Sequence, residues 1–268
     1  MHATEPKTTK CPAIEGSLQQ GGLIWFQVPP GSAVSVDDSV LDVLPDGTTL
    51  VGFGRDAGQT AQLTVSGPQP CEQTLNIAQR EYRISRVEGV PQKTVTPPKA
   101  QLERIRREGA LVRKARAPKL DDPALLRSVL GAFEWPATGR ISGVYGSQRV
   151  YNGTPGRPHY GVDVAQPTGT PVVAPAAGVV TLAEPDLFYS GGTVILDHGY
   201  NLSSTFLHMS AVDVEVGQVL ETGDRIGAIG ATGRATGPHL DWRMNWRKQR
   251  IDPQLLVPPQ PGQLKAAE

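Results

Sequence analysis

Short apolar runs separated by turn residues fill the first third of the chain, a pattern typical of β-strands. Six such runs occur, at residues 23–28, 34–36, 40–43, 48–53, 61–65 and 82–84. Asp46-Gly47 between the third and fourth runs predicts a hairpin, because this dipeptide suits tight turns between paired strands. We therefore predict a small β-sandwich within residues 1–90.

The same pattern returns more strongly after residue 133. Candidate strands occupy residues 171–174, 178–182, 193–196, 203–208, 225–229 and 239–244, and glycines mark the turns between them. Residues 121–260 are thus predicted to form a second all-β domain, which makes the chain mostly β.

Residues 91–120 differ from both β regions and are predicted to be a Pro-rich linker followed by a basic helix. Residues 99–119 carry eight Lys or Arg and two Glu, while Leu102, Ile105 and Val112 fall on one helical face. The basic charge is compatible with an anionic polymer or membrane surface. We favour a solvated face on a helix that packs against a neighbouring domain.

Composition narrows the classes of function. The chain has 268 residues, 26 basic and 26 acidic side chains and no formal net charge, which argues against a nucleic-acid binder held by bulk electrostatics. No apolar stretch is long enough to predict a transmembrane helix, and the first residues lack the apolar core of a signal peptide. If the protein is exported, we expect its signal to precede residue 1.

Two cysteines are present, Cys11 and Cys71. Their spacing contains no CxxC pair, which disfavours a structural zinc knuckle. A disulfide and two buried free thiols both fit the sequence at this point.

The first histidine cluster is His159 and Asp163, four residues apart. In an extended strand four residues span about 13 Å, too far for two ligands of one metal ion. If both residues bind the same ion, His159 must sit on a bend, which Pro158 favours.

A second cluster lies on the last predicted strand. His239, Asp241 and Arg243 alternate with apolar residues, so all three point to one face of that strand. The alternative is that His239 and Asp241 merely pair on a solvated sheet face. His208 ends another predicted strand and by itself fits a structural role equally well.

Together these segments resemble the LytM-type zinc peptidases of the M23 family, which includes the lysostaphin-like endopeptidases. The resemblance covers about residues 133–257. It rests on the HxxxD of residues 159–163, on residues 167–172, on the strand end at 207–210, and on the Gly-rich run 230–233 leading to Gly237-Pro238-His239. It implies that the C-terminal region is a LytM-type antiparallel β domain.

The resemblance also implies roles for individual residues. His159 and Asp163 would bind Zn²⁺, and His208 and His239 would be the catalytic histidines. The third ligand of the family is the second histidine of an HxH motif, where this chain has Asp241. A carboxylate also binds zinc, so we expect Asp241 to be the third ligand.

Two further expectations concern the residues around this site. His198 lies in a turn, and we expect it to be structural rather than a replacement ligand. With two carboxylates among three ligands, the positive field of the ion would be more fully neutralised than in the family. Activity is then expected to rise toward alkaline pH.

The implied function is zinc-dependent hydrolysis of the peptide cross-links of bacterial peptidoglycan. The alternative is a catalytically inactive LytM-like regulator of a cell-wall amidase, and either role allows a partner from cell division. Peptidoglycan lies outside the cytoplasm, so we expect a periplasmic or secreted protein. That location favours a disulfide between Cys11 and Cys71.

Overall fold

A computed structural model describes residues 10–89 and 99–260. Two compact units divide after Arg80, ten residues before the end that we predicted for the N-terminal module. Among the described residues, strands hold 42% and helices 11%, which confirms the mostly β class.

The strands in chain order are β1 Glu15–Gly16, β2 Leu23–Gln27, β3 Ala33–Val36, β4 Ser39–Val40, β5 Thr48–Gly52, β6 Thr60–Ser66, β7 Cys71–Asn76, β8 Ile84–Val87, β9 Arg140–Gly143, β10 Gln148–Tyr151, β11 Thr154–Pro155, β12 Val162–Ala165, β13 Pro171–Val173, β14 Gly178–Leu187, β15 Gly191–Asp197, β16 Leu202–Val212, β17 Val219–Leu220, β18 Arg225–Ile229, β19 Leu240–Trp246 and β20 Gln249–Ile251. The helices are α1 Leu102–Ala115 and α2 Pro123–Val129, with 3-10 turns at Lys99–Gln101 and Pro253–Leu255.

The first unit contains two antiparallel sheets, as the sandwich prediction requires. One has the strand order β1-β2-β5 and the other β4-β3-β6-β7. In β6 the alternate residues Ala61, Leu63 and Val65 are buried, because successive side chains of a strand point to opposite faces. A disulfide joins Cys11 to Cys71, with 5.5 Å between their Cα atoms.

The predicted hairpin at Asp46-Gly47 is wrong. β5 pairs with β2, while β4 pairs with β3 in the other sheet, so the turn connects two sheets. Gly47 has a φ of +89°, and a Cβ there would clash with the carbonyl oxygen of Val28. The glycine therefore allows the turn to approach the end of β2 closely, and the dipeptide does not connect two paired strands.

A ten-stranded sheet dominates the second unit. Its main path is β17-β14-β15-β16-β19-β12-β9, with β13, β18 and β20 attached. β8 joins a smaller sheet, where it runs parallel to β10. One face of β19 presents Leu240, Trp242 and Met244, all fully buried, so the opposite face is left for polar side chains.

The basic helix α1 packs within the second unit. Leu111, Val112 and Ala115 contact a buried cluster that includes Leu182 and Ile195 of the sheet. The helix thus uses its apolar residues for packing, in line with the favoured interpretation of its charge. No helix in the described part of the chain is both long and apolar enough to cross a membrane.

The second helix, α2, was not predicted. Asp122 caps its first turn by accepting hydrogen bonds from the backbone N–H groups of Ala124 and Leu125, each 3.0 Å long. Pro123 occupies the first helical position, where a missing N–H costs nothing. With only seven residues, α2 is too short for a clear helical period in the sequence.

Candidate active site

Two adjacent strands bring the carboxylates of the site together. β12 and β19 are antiparallel, and Asp163 lies directly opposite Asp241 in their register. Directly opposed residues share a sheet face at a Cβ separation of about 5 Å. Gly143 on the next strand leaves room for them, since a Cβ there would clash with Asp163 Oδ2.

His159 reaches the same point from a bend before β12, as its spacing from Asp163 required. Its backbone N–H donates to the carbonyl of Ser147, and its own carbonyl accepts from the N–H of Gly146. The ring Nε2 lies 3.0 Å from Asp163 Oδ1 and 3.5 Å from Asp241 Oδ2. Nδ1 lies 3.2 Å from the carbonyl oxygen of Val144.

These three side chains fit a divalent metal ion. Their ligand atoms all lie within 4.8 Å of one another. His159 Nε2 and Asp163 Oδ1 are buried, lie 3.0 Å apart and have no hydrogen-bond partner outside the cluster. Imidazole nitrogen and carboxylate oxygen are both regular zinc ligands, so the unpartnered atoms and the donor types agree.

The electrostatics of the cluster favour a cation. Burial acts to lower the pKa of His159, but the hydrogen bonds and charges of Asp163 and Asp241 outweigh it and raise that pKa to about 10. The pair of carboxylates therefore holds a positive charge between them. A metal ion would take the place of that proton, because metal ligands must be deprotonated.

Arg243 contacts the same carboxylate. Its Nη2 lies 2.5 Å from Asp241 Oδ2 and its Nε lies 3.0 Å from Oδ1. Burial acts to raise the pKa of Asp241, but the charge of Arg243 and the neighbouring His159 hold that pKa well below its usual range. Asp241 is thus a buried anion whose charge Arg243 compensates.

This ion pair changes the expected pH dependence. The sequence argument counted two uncompensated carboxylates, whereas Arg243 cancels one of them. The residues around the ion then carry one net negative charge, which is the charge expected for a set of two histidines and one aspartate. The argument for an alkaline optimum therefore loses its physical basis.

Two further histidines lie beside the cluster, with ring centroids 4.9 Å apart. His208 Nδ1 lies 2.9 Å from the carbonyl oxygen of Thr232, and His239 Nδ1 lies 2.7 Å from that of Gly237. A carbonyl cannot donate, so each Nδ1 carries the hydrogen and each Nε2 is the free nitrogen. His239 Nε2 is 3.9 Å from Asp163 Oδ1.

The backbone fixes His208 firmly. The residue has a φ of +65°, uncommon for a side chain other than glycine, and its N–H donates to the carbonyl of Ser190 at 2.7 Å. Burial is the main cause that lowers its pKa below the ordinary value of histidine. His208 is therefore held as a neutral imidazole at pH 7.

Thr232, which the sequence analysis treated only as part of a Gly-rich run, organises this corner. Its hydroxyl donates to the carbonyl of Met209 and accepts from the N–H of Gly192, at 2.8 and 2.9 Å. Its carbonyl orients His208. A threonine in a Gly-rich run gave no signal of that role.

His198 lies apart from the described metal cluster, as expected. It is fully buried, and its ring nitrogens contact the carbonyl of Ala177 and the hydroxyl of Ser204 at 2.7 and 2.8 Å. Burial lowers its pKa to about 4. His198 is a structural residue of the core.

The structure thus brings together all five residues singled out by the sequence. Asp163 and Asp241 face each other across two strands, His159 joins them from a bend, and His208 and His239 stand beside them. Their roles as ligands and catalysts stay predictions. The sequence analysis placed Arg243 on the same strand face but did not predict its ion pair with Asp241, because that contact depends on side-chain conformation as well as spacing.

Comparison with known sequences gives a match to Peptidase family M23 over residues 157–253. The chain is 40% identical over 114 residues to the peptidoglycan DD-endopeptidase ShyA of Vibrio cholerae. This match covers 42% of this chain and 26% of ShyA. It is 28% identical over 170 residues to the cell division protein DipM of Caulobacter vibrioides, covering 61% of this chain and 26% of DipM. The chain thus spans about a quarter of the length of these relatives.

Among solved structures, a crystal structure of a peptidase M23 from Pseudomonas aeruginosa is similar over most of both chains. The match covers 90% of this chain and 95% of that one, with a TM-score of 0.67 and 28% identity. This likeness extends beyond the region that the family match covers.

Proposed function

Residues 157–253 form a domain of peptidase family M23, and from this premise we propose that the protein is a zinc-dependent endopeptidase that hydrolyses the peptide cross-links of bacterial peptidoglycan. The observation that carries the proposal is the convergence of His159, Asp163 and Asp241, with their ligand atoms within 4.8 Å, next to His208 and His239. The name of the relative ShyA supports the substrate.

His159, Asp163 and Asp241 would hold the zinc ion. When bound, zinc supplies a Lewis acid for peptide hydrolysis. The chain prepares this site in two ways. Val144 accepts from His159 Nδ1 and so leaves Nε2 for the ion, and Arg243 fixes the carboxylate of Asp241.

His208 is proposed as the general base. Its Nε2 is unprotonated at neutral pH because burial lowers the pKa and Thr232 holds the hydrogen on Nδ1. It would accept the proton of the attacking water and return it to the leaving amine. His239, held by Gly237, would lie beside the scissile carbonyl group as the second catalytic histidine.

We propose that two Gly-rich segments, residues 190–192 and 230–237, together wall the substrate groove. The two segments pack so closely on each other that a Cβ on Gly191 would clash with Thr232. Tyr189 is 39% exposed, and the guanidinium of Arg234 lies 5.5 Å above its ring. These two side chains would form the rim of the groove beside His208.

A location outside the cytoplasm follows from this substrate, and the disulfide Cys11–Cys71 supports it. The likeness to the cell division protein DipM supports a partner in cell division. The inactive-regulator alternative lacks a supporting observation, because all five candidate residues stand in an arrangement suited to catalysis.

The test is digestion of purified cross-linked muropeptides by the full chain, with products identified by mass spectrometry. We expect cross-linked dimers to be converted to monomers with the gain of one water. The conversion should stop with a chelator or with His208→Ala. Unchanged dimers under zinc-replete conditions would refute the proposal and favour the regulator.

A further inference from the structure

Three arginines lie together on the sheet face that carries the metal cluster. Arg243 follows Asp241 by two residues and so points to the same side of β19. Arg250 of β20 lies directly opposite Asn245, the next residue on that side. Arg116, just after helix α1, donates from Nη2 to the hydroxyl of Thr205, which is the cross-strand partner of Arg243.

The three guanidinium groups have little negative charge to pair with. Among the described residues only Arg243 has a carboxylate partner, Asp241. Arg250 donates from Nη1 to the amide oxygen of Asn245 at 2.9 Å, and Arg116 contacts the neutral hydroxyl of Thr205 at 2.8 Å. The Nε of Arg116 is buried and has no hydrogen-bond partner.

The pKa shifts agree with an excess of positive charge. Burial, followed by repulsion from Arg250 and Arg243, lowers the pKa of Arg116 to about 9. Burial, followed by repulsion from Arg243 and Arg157, lowers the pKa of Arg250. Confining like charges on a half-buried face is unfavourable, and an anion bound there would relieve the cost.

We propose that Arg116, Arg243 and Arg250, the arginine cluster, form a subsite that binds a carboxylate group of the peptide substrate within about two to four residues of the bond that is cleaved. Guanidinium groups suit this ligand because they bind carboxylates through paired N–H donors. The inference rests on the proposed peptidase function and adds a substrate class, namely peptides with a carboxylate near the scissile bond.

The position of the cluster sets how far that carboxylate lies from the reaction. Arg243 and Asn245 follow Asp241 by two and four residues on β19, which corresponds to about 7 and 13 Å. An extended peptide covers that distance in two to four residues. The group is either a side-chain carboxylate or the carboxyl end of the peptide, and the cluster geometry suits both.

The experiment uses three versions of one cross-linked peptide. The first keeps its carboxylates, the second is amidated at its carboxyl end, and the third is amidated at its side-chain carboxylates. We measure kcat/KM for the zinc-loaded full chain, and the binding affinity in a His208→Ala background that prevents turnover. We expect at least a tenfold preference for the first peptide over one of the amidated versions, which identifies the source of the carboxylate.

Variants assign the preference to the cluster. Arg250→Gln should reduce the preference for the unmodified peptide over the discriminating amidated peptide to within about twofold. Arg250→Lys should restore this preference only in part, because lysine keeps the charge but loses the paired donors. Arg116→Gln provides a second, independent change. Arg225→Gln is the matched control, because this half-exposed arginine pairs with Asp213 and lies outside the cluster. Its ratio should equal that of the unchanged protein.

Equal binding and cleavage of all three peptides would overturn the subsite and leave the peptidase proposal intact. A ratio that survives both Arg250→Gln and Arg116→Gln would overturn it as well. If no peptide is cleaved but the carboxylate preference persists in binding and is lost in the variants, the subsite stands and the peptidase proposal fails.

Discussion

Arg243→Gln should tighten zinc binding. Arg243 contacts Asp241 Oδ2 at 2.5 Å, and the same oxygen faces His159 Nε2 at 3.5 Å. A cation held by His159, Asp163 and Asp241 therefore shares a carboxylate oxygen with a guanidinium group. Removing that group takes away a repulsive charge and frees the oxygen.

The magnitude follows from Coulomb's law. Two positive charges about 5 Å apart repel by about 3 kcal/mol per unit of cation charge at an effective dielectric constant of about 20. The side chain of Arg243 is 28% exposed, so water screens part of this repulsion. Arg243 also orients Asp241, and this contribution is lost in the variant. We therefore expect at least a tenfold decrease in the zinc Kd. This change is much smaller than the unscreened Coulomb repulsion alone would give.

The assay is competition with a chromophoric chelator at fixed pH and salt. Arg225→Gln removes the same charge from an exposed ion pair and should leave the zinc Kd unchanged. Circular dichroism establishes that both variants are folded. An unchanged or weaker zinc affinity in Arg243→Gln would show that Asp241 is no ligand, or that the guanidinium is needed to hold it in place.

Three other predictions follow from the same geometry. His208→Ala and His239→Ala should abolish most hydrolysis yet retain zinc, whereas His159→Ala should lose the metal. Metal analysis of the three purified variants tells the ligand from the catalytic residues. Zinc retained by His159→Ala would contradict the assignment. Burial lowers the pKa of His208, so this base is protonated only below the ordinary histidine range. The midpoint of the acid limb in the pH profile of kcat/KM should therefore lie below pH 6.5. A midpoint above that value would count against His208. Mass spectrometry of unreduced protein should find no free thiol, and two free thiols would contradict the pairing of Cys11 with Cys71. Replacing both cysteines by serine should lower the free energy of unfolding of the N-terminal unit by about 4 kcal/mol in urea, as expected for the loss of a cross-link that closes a loop of this length.

Apolar positions in the sequence predicted the strands that have several buried side chains. β6 at Thr60–Ser66, which alternates buried and exposed residues, and β18 at Arg225–Ile229, in which the last four residues are buried, match their apolar runs closely. β7 at Cys71–Asn76 was missed because only Cys71 and Leu75 of its six residues are buried. A strand with so few buried side chains carries almost no hydrophobic pattern.

The site was predictable where it depends on local spacing. The alternation along β19 placed His239, Asp241 and Arg243 on one face, and the distance argument placed His159 on a bend. Contacts made by folding distant segments together were beyond the sequence. Arg116 reaches Thr205 across 89 positions, and only the packing of α1 on the sheet brings them into contact.

The measurement that most directly tests the central claim is zinc titration of the metal-free full chain, with hydrolysis of a cross-linked muropeptide as the readout. The account predicts no activity without metal, then a linear rise that reaches a plateau at one zinc per chain. His159→Ala should show no such rise. Hydrolysis by the metal-free protein, or inactivity at every zinc concentration, would contradict the account.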